Sequence, residues 1–512
     1  MSKPPLSVPG RSAACLFVCA VLSVLPAFAQ PAADPFAAKV DAVFSEVAKP
    51  DGPGCAVGVY RDGKILYSKG YGMAVLEHGA PITPKTVFYI GSISKQLTAG
   101  TVALLAQQGK ISLDDDIRKH LPEVPDFGTP ITIRQTIHHM SGLREKWDLL
   151  SMAGHRSGDV VTQEDVLEMV RRQKELNFKP GDEHLYSNTG YDLLPYVVER
   201  AAGQPFREYA RESLFAPLGM ADTRYGDDRT EVMPRRAFAY SPKEGGGFVL
   251  NMEDVETVGS GGIYTTIEDF ARWDENLATG RVGGPEWLRV MTTPGTLNDG
   301  TKLTYAFGLE IMEDLGLRQV WHNGGLAGYS TMYVRYPDEH LSVAVFCNGS
   351  LEPDPLALRV AEVWLAGKFK EPAAAPAASA APAAAAVKLA GKDLARVTGY
   401  YQSEGEGTVR RILEKDGKLF YHRGPGNEAE LAPLSADRFQ MLGVPVKVEI
   451  RFEPAGAAKP ERMIFAAERQ EPSVFRPVAP PVTDPAALGA YSGTYASGEL
   501  AATWTLALRE GR

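Results

Sequence analysis

Between residues 371 and 387 the chain is almost wholly alanine, proline and serine, and this stretch constrains the fold of the 512-residue sequence more than any other feature. Alternating prolines make it a semi-extended spacer with no apolar face to bury. The parts on either side of a linker at 369–387 must therefore form separate cores. From about Asp34 to Lys368 strand-like and helix-like stretches alternate, beginning with a hairpin whose Asp62-Gly63 turn joins Val57–Tyr60 to Ile65–Tyr67. A helix opening near Ser92 carries Ile93, Leu97, Leu104 and Leu105 at helical spacing and stops at Gly109. A polar middle with loops at 126–130 and 156–159 follows, and strands at 331–336 and 341–346 return the chain to β structure across a Pro337-Asp338 turn. The order of strands, helices, strands predicts one sheet covered by helices over residues 30–368.

After the spacer the hydrophobic period changes to two: Val446, Val448, Ile450 and Phe452 alternate with Lys447, Glu449 and Arg451. This predicts half-buried antiparallel strands in a barrel-like unit over 388–483. A weak repeat follows, because Gly399, Tyr401, Ser403 and Asp416-Gly417-Lys418 match Gly493, Tyr495, Ser497 and Glu510-Gly511-Arg512 at one offset, 493 − 399 = 94. A second β unit, 484–512, thus starts near Ala487 and stops on a turn. One hairpin buries no core alone, so this unit is expected either to be a fragment or to dock on another domain.

At the other end Lys3 and Arg11 precede an apolar run, Ser12 to Phe28, closing in Ala27-Phe28-Ala29. That order is a secretory leader over residues 1–29, cut after Ala29, which predicts a periplasmic or secreted protein touching membrane only during export. No other segment is apolar enough to span a bilayer. Cys55 and Cys347 remain in the exported chain, each in a β-like run; pairing and burial as free thiols are both open. A net charge of −9 without a basic run argues against nucleic acid and for a small peptide or ester partner.

Ser92-Ile93-Ser94-Lys95 is the only Ser-x-x-Lys in the sequence and opens the apolar helix. Three residues apart on a helix, hydroxyl and amine share a face. Burial or neighbouring positive charge would lower the amine's pKa and let Lys95 take the Ser92 proton, making Ser92 a candidate acyl-enzyme nucleophile. Tyr186-Ser187-Asn188 is the only Tyr-x-Asn. A phenol whose pKa is lowered by an adjacent ammonium would make Tyr186 a proton relay to the leaving group; Asn188 would donate to the substrate carbonyl and accept from Lys95. In Trp321-His322-Asn323-Gly324-Gly325, His322 adds a polar or positive group opposite the serine, and Gly324 and Gly325 clear the substrate's approach. The N–H groups of Ser92 and Gly325 are candidate oxyanion donors. No metal or cofactor is expected: His138-His139 lack partners at ligand spacing, and there is no Gly-x-Ser-x-Gly elbow, His-Glu-x-x-His or phosphate-binding Gly-rich loop.

Taken together, Gly91–Lys95, Tyr186–Asn188 and His322–Gly325 resemble the three motifs of the serine β-lactamase and penicillin-binding-protein superfamily, class C branch, as do Ile131–Arg134 leading to Ser141-Gly142-Leu143, and Gly261–Phe270. The resemblance covers about residues 36 to 367. It implies a β-lactamase-like α/β (α+β) fold, an antiparallel sheet flanked by helices with an all-helical subdomain, and hydrolysis through an acyl-serine. Class C β-lactamases carry Lys-Thr-Gly where this chain has His322-Asn323-Gly324, which weakens the case for antibiotic hydrolysis. His-x-Gly resembles D-aminopeptidases and esterase-like members, and D-aminopeptidases also carry two β-barrel units after the catalytic domain. The expectation is therefore a serine hydrolase acting on D-amino-acid peptides or carboxylic esters. Its alternative is a β-lactamase or penicillin-binding sensor, acylated at the same serine without efficient turnover. A further reading makes the β-rich tail a gate docked on the catalytic face.

Overall fold

The computed structural model describes residues 35–509 except 46–48, 157, 371–388, 390, 405–407, 425–426, 445–447, 455–458 and 468–471. The proposed leader, the alanine- and proline-rich stretch from 371 onward, Val446-Lys447 and Glu510–Arg512 lie outside the described residues.

Six antiparallel strands form the central sheet: β1 (Cys55–Arg61), β2 (Lys64–Tyr71), β3 (Glu310–Asp314), β4 (Leu317–Leu326), β5 (Tyr329–Tyr336) and β6 (Leu341–Cys347), in the order β3-β4-β5-β6-β1-β2. Residues 280 to 292 apart in sequence (341 − 61 and 347 − 55) thus share one sheet, joined by pairing β1 with β6. Asp62 and Gly63 both take positive φ, 50° and 74°, the hairpin turn that matches strand twist. Period-two alternation sends Val57, Val59, Val343 and Val345 to one face, where helices Pro35–Ser45 and Pro353–Leu365 cover them. Ala56, Tyr60, Ala344 and Phe346 point to the other face, under α1 (Ser94–Gln107) and Ile267–Thr279. Cys55 and Cys347 face each other across β1 and β6 and are joined in a disulfide, which resolves the question the sequence left open.

Between the first and second motifs lie short helices. They include α2 (Lys146–Met152) and α3 (Gln163–Arg172), and the segment leads into α4 (Asn188–Ala202). Thr132 with Gln135 and Thr162 with Asp165 form capping boxes at two of the helix starts. Among the described residues no helix is long and apolar enough to cross a membrane.

Beyond the spacer, helix Gly391–Val397 precedes eight strands that close into an antiparallel barrel, from Gly399–Ser403 to Ser473–Val478. Val448, Ile450 and Phe452 point into its core, as their alternation predicts. The repeat is structural: helix Pro485–Gly489 and strand Gly493–Ser497 begin at the same offset from their counterparts (485 − 391 = 493 − 399 = 94). Strand Ala502–Leu506 completes a hairpin that, among the described residues, pairs with no further strand. It finds its core elsewhere. Leu500 is buried among Leu149, Leu150, Val161, Val166, Met169 and Val255 of the first unit, and Trp504 Nε1 donates to the Met152 carbonyl at 2.8 Å. Glu499 receives hydrogen bonds from Arg144 at 2.8 Å and from the Lys174 N–H at 3.2 Å. The hairpin docks on another unit, as one of the two expectations had it.

Candidate active site

Ser92 occupies a 3-10 turn, Gly91–Ile93, that runs directly into α1, so the Ser-x-x-Lys spacing places both side chains on one face. Lys95 Nζ lies 2.9 Å from Ser92 Oγ and donates to Asn188 Oδ1 and to the Ser260 carbonyl, each at 2.8 Å. The side chain is fully buried. Burial lowers its pKa to about 7, opposed by the charges of Asp192 and Glu145 and reinforced by Lys146. In the neutral form, two N–H bonds go to Asn188 and Ser260, and the lone pair faces the Ser92 hydroxyl. This is the geometry of a base against a nucleophile.

The Tyr186 and Ser92 hydroxyls are hydrogen-bonded to each other, and the Tyr186 ring centroid lies 4.8 Å from Lys95 Nζ. The three side chains on which the sequence reading depends do converge. One detail is corrected: burial raises the phenol's pKa, and the contact with Ser92 offsets this only in part, so Tyr186 is a neutral phenol and not a depressed one. Tyr186 is 38% exposed, and the negative charges of Glu145 and Asp192 also disfavour a phenolate. An amine with a pKa near 7 is only about half ammonium at neutral pH, less than the full charge that was expected to depress the phenol.

Asn188 accepts from Lys95 as expected, while its Nδ2 donates to Glu145 Oε1 at 2.9 Å and its backbone N–H to Glu145 Oε2 at 2.5 Å. One Nδ2 proton therefore remains for a substrate carbonyl. His322 is buried on β4. Its Nδ1 lies 2.5 Å from the Asn323 carbonyl and so carries the proton, leaving Nε2 to accept from the Tyr305 hydroxyl at 3.2 Å. Burial, with Lys95 nearby, lowers its pKa to about 3. Of the two properties expected at this position, polar or positive, only the first holds: His322 is a neutral imidazole.

β3 covers β4 only from Leu317 to Trp321, so His322–Leu326 have no strand on that side. There Gly324 and Gly325 lie against the serine turn. A Cβ on Gly91, whose φ is +54°, would come within 2.4 Å of the Gly325 nitrogen, and one on Gly324 within 2.8 Å of the Ser92 nitrogen. Only glycine permits this approach, which sets the two candidate oxyanion N–H groups side by side.

Sequence reading missed several residues here. Glu145 and Lys146 open α2, Asp192 lies in α4, and the Ser260 carbonyl comes from a loop; each is a few residues from a recognised stretch but carries no motif of its own. Tyr305 was also missed. His139, read as structural, stacks on Tyr186 with ring centroids 4.3 Å apart and accepts the Ser187 N–H. His138 is held by the Arg134 and Thr293 carbonyls. No group of three or more metal-ligating residues occurs among the described residues.

A buried amine of lowered basicity against a helix-borne serine, with adjacent N–H groups from a turn and a strand edge, defines the class of Ser-x-x-Lys serine hydrolases. The chain belongs to the beta-lactamase family, whose model matches residues 40–368. It is 29% identical to a D-aminopeptidase of Gluconobacter oxydans (strain 621H) over 316 residues, 62% of this chain and 59% of the relative. The match thus spans about three-fifths of that relative's length. With penicillin-binding protein 4* of Bacillus subtilis (strain 168) it shares 28% identity over 408 residues, 76% of this chain and 87% of the relative. In fold it is similar to the octameric penicillin-binding protein homologue from Pyrococcus abyssi, with a TM-score of 0.59 and 22% identity over 86% of this chain and 99% of that one.

Proposed function

We propose that this chain cleaves amides or esters of D-amino-acid type through an acyl-Ser92 intermediate. The observation that carries the reading is the buried Lys95 amine set 2.9 Å from Ser92 Oγ. Ser92 Oγ attacks the carbonyl carbon while its proton passes to Lys95 Nζ. The oxyanion is held by the Ser92 and Gly325 N–H groups. The bond to the leaving nitrogen or oxygen then breaks as that atom takes a proton through the Tyr186 hydroxyl. Water repeats the sequence on the acyl ester, losing its proton to the same groups and releasing the acid and free Ser92.

The neutral His322 supports D-peptide or ester substrates over β-lactams, since no lysine stands at the third motif to bind a carboxylate. The D-aminopeptidase relatives support the same choice. We also infer export, supported by the leader-like residues 1–29 and by the Cys55–Cys347 bond, a feature of oxidising compartments. N-terminal sequencing of the protein from its native cells should then begin at Gln30, and a start at Met1 would refute it.

The test is one panel. Residues 30–512 and Ser92→Ala are compared on p-nitrophenyl esters, D- and L-amino-acid anilides and a chromogenic cephalosporin. Turnover of D-anilides or esters that vanishes in Ser92→Ala supports the proposal. Activity surviving Ser92→Ala refutes the mechanism, and burst labelling of Ser92 without steady product assigns the chain to the sensors.

A further inference from the structure

Lys146 at the start of α2 and Asp192 in α4 form an ion pair at 2.6 Å with only 1% and 0% of their side chains exposed. Burying two charges is costly, and a well-packed apolar pair of similar volume would often stabilise the fold equally well. The stability of the fold therefore does not account for the pair. Its other contacts lead to the active site. Asp192 Oδ1 accepts the Ser260 N–H at 2.9 Å, and Lys146 Nζ donates to Thr257 Oγ1 at 3.0 Å. The two ends of the segment Thr257–Ser260 are thus held by the two members of the pair. Gln163 Oε1 accepts the Val258 N–H at 2.9 Å and Thr98 Oγ1 donates to the Gly259 carbonyl at 2.8 Å, which fixes the middle. Gly259 has φ +115°, and a Cβ there would lie 2.3 Å from the Tyr191 carbonyl, so the backbone is confined to this path. The segment ends with the Ser260 carbonyl on Lys95 Nζ.

We propose that the buried Lys146–Asp192 pair is a positioning device for the active site: it holds the Ser260 carbonyl on the Lys95 amine and sets the charge which that amine faces. The inference rests on Lys95 being the base for Ser92. Lys95 is faced by Asn188, Tyr191 and Asp192 of α4, Glu145 and Lys146 at the start of α2, Tyr186, the Ser260 carbonyl, His322 of β4, and His139. Asn188, Tyr186, Tyr191 and the Ser260 carbonyl bring no net charge, and His139 and His322 are held neutral by burial. The fixed charges are those of Glu145, Asp192 and Lys146. Removing either member of the pair changes this balance in opposite senses, which a purely structural role does not predict.

The experiment measures single-turnover acylation of Ser92 by a p-nitrophenyl ester against pH, for the wild type, Asp192→Asn, Lys146→Met and Lys146→Arg. Rate constants of the titratable fraction do not depend on how much of a variant folds. Labelling of Ser92 in the wild type, with an acidic limb, tests the underlying chemistry separately. Asp192→Asn keeps an acceptor for Ser260 but removes an anion and frees a cation, so its limb moves to lower pH. The share of its plateau rate reached at pH 6 rises about fivefold for a displacement of one pH unit. Lys146→Met moves the limb to higher pH, with that share falling about ninefold. Lys146→Arg leaves the limb in place. Limbs that stay with the wild type in both Asp192→Asn and Lys146→Met, or move in the same direction, overturn the proposal.

Discussion

Substituting Gly324 by alanine perturbs the site without removing any polar group. The added Cβ lies 2.2 Å from the Ile90 carbonyl oxygen and 2.8 Å from the Ser92 nitrogen, and both are backbone atoms that cannot rotate away. A relaxed carbon-to-oxygen contact is about 3.3 Å, so β4 and the serine turn must separate by about 1 Å. Displacing reacting groups by that amount costs on the order of 10²-fold in rate, and overpacking of this kind costs about 1–3 kcal/mol of stability. Gly325→Ala is the matched control, because its Cβ meets only the Tyr329 carbonyl, at 3.4 Å, an ordinary contact. The assay is kcat/KM on p-nitrophenyl acetate and on a bulkier ester, beside thermal unfolding. Gly324→Ala should lose about two orders of magnitude on both esters. Gly325→Ala should unfold like the wild type and lose rate mainly on the bulkier one. Gly324→Ala within threefold of wild type would refute the close approach of β4 to the nucleophile turn.

Three further outcomes follow from the structure. Lys95 must be neutral to accept the Ser92 proton, and its pKa is about 7; the acylation rate therefore rises with pH, from about 1% of its plateau at pH 5 to half near pH 7, then flattens. A rate still climbing tenfold per pH unit at pH 9 would show an ordinary lysine. Replacing Cys55 and Cys347 together by alanine removes a link between residues 292 apart and should cost about 2–5 kcal/mol in urea unfolding; two thiols titrating in the unreduced, unfolded wild type would disprove the bond. Truncation after Lys370 uncovers Leu149, Leu150 and Val255 and frees Arg144 from Glu499. Because Arg144 adjoins Glu145, which holds Asn188, substrate preference should change more than thermal stability. Unchanged relative rates across the ester and anilide panel would dismiss a functional role for the docked hairpin.

Much of this molecule is readable from local spacing. The serine and lysine meet because three residues on a helix return a side chain to the same face, whatever lies around them. The Asp62-Gly63 turn, the inward Val448, Ile450 and Phe452, and the 94-residue repeat likewise depend on periods and turn chemistry that a short window contains. Charge state is not local. At pH 7 His322 is neutral and Lys95 about half so because they are buried, and Tyr186 is a stronger holder of its proton than an isolated pairing with an ammonium suggests. Those outcomes required Glu145, Lys146, Asp192 and the Ser260 carbonyl, which come together only when α2, α4 and a loop pack over the nucleophile helix. The pairing of Cys55 with Cys347 was settled in the same way, by the register of β1 against β6. The sequence alone determined which groups could react, because bond geometry along a helix or strand is short-ranged. The tertiary structure decided in which protonation state they wait, because desolvation and Coulomb energy sum over every neighbour in space, however distant along the chain.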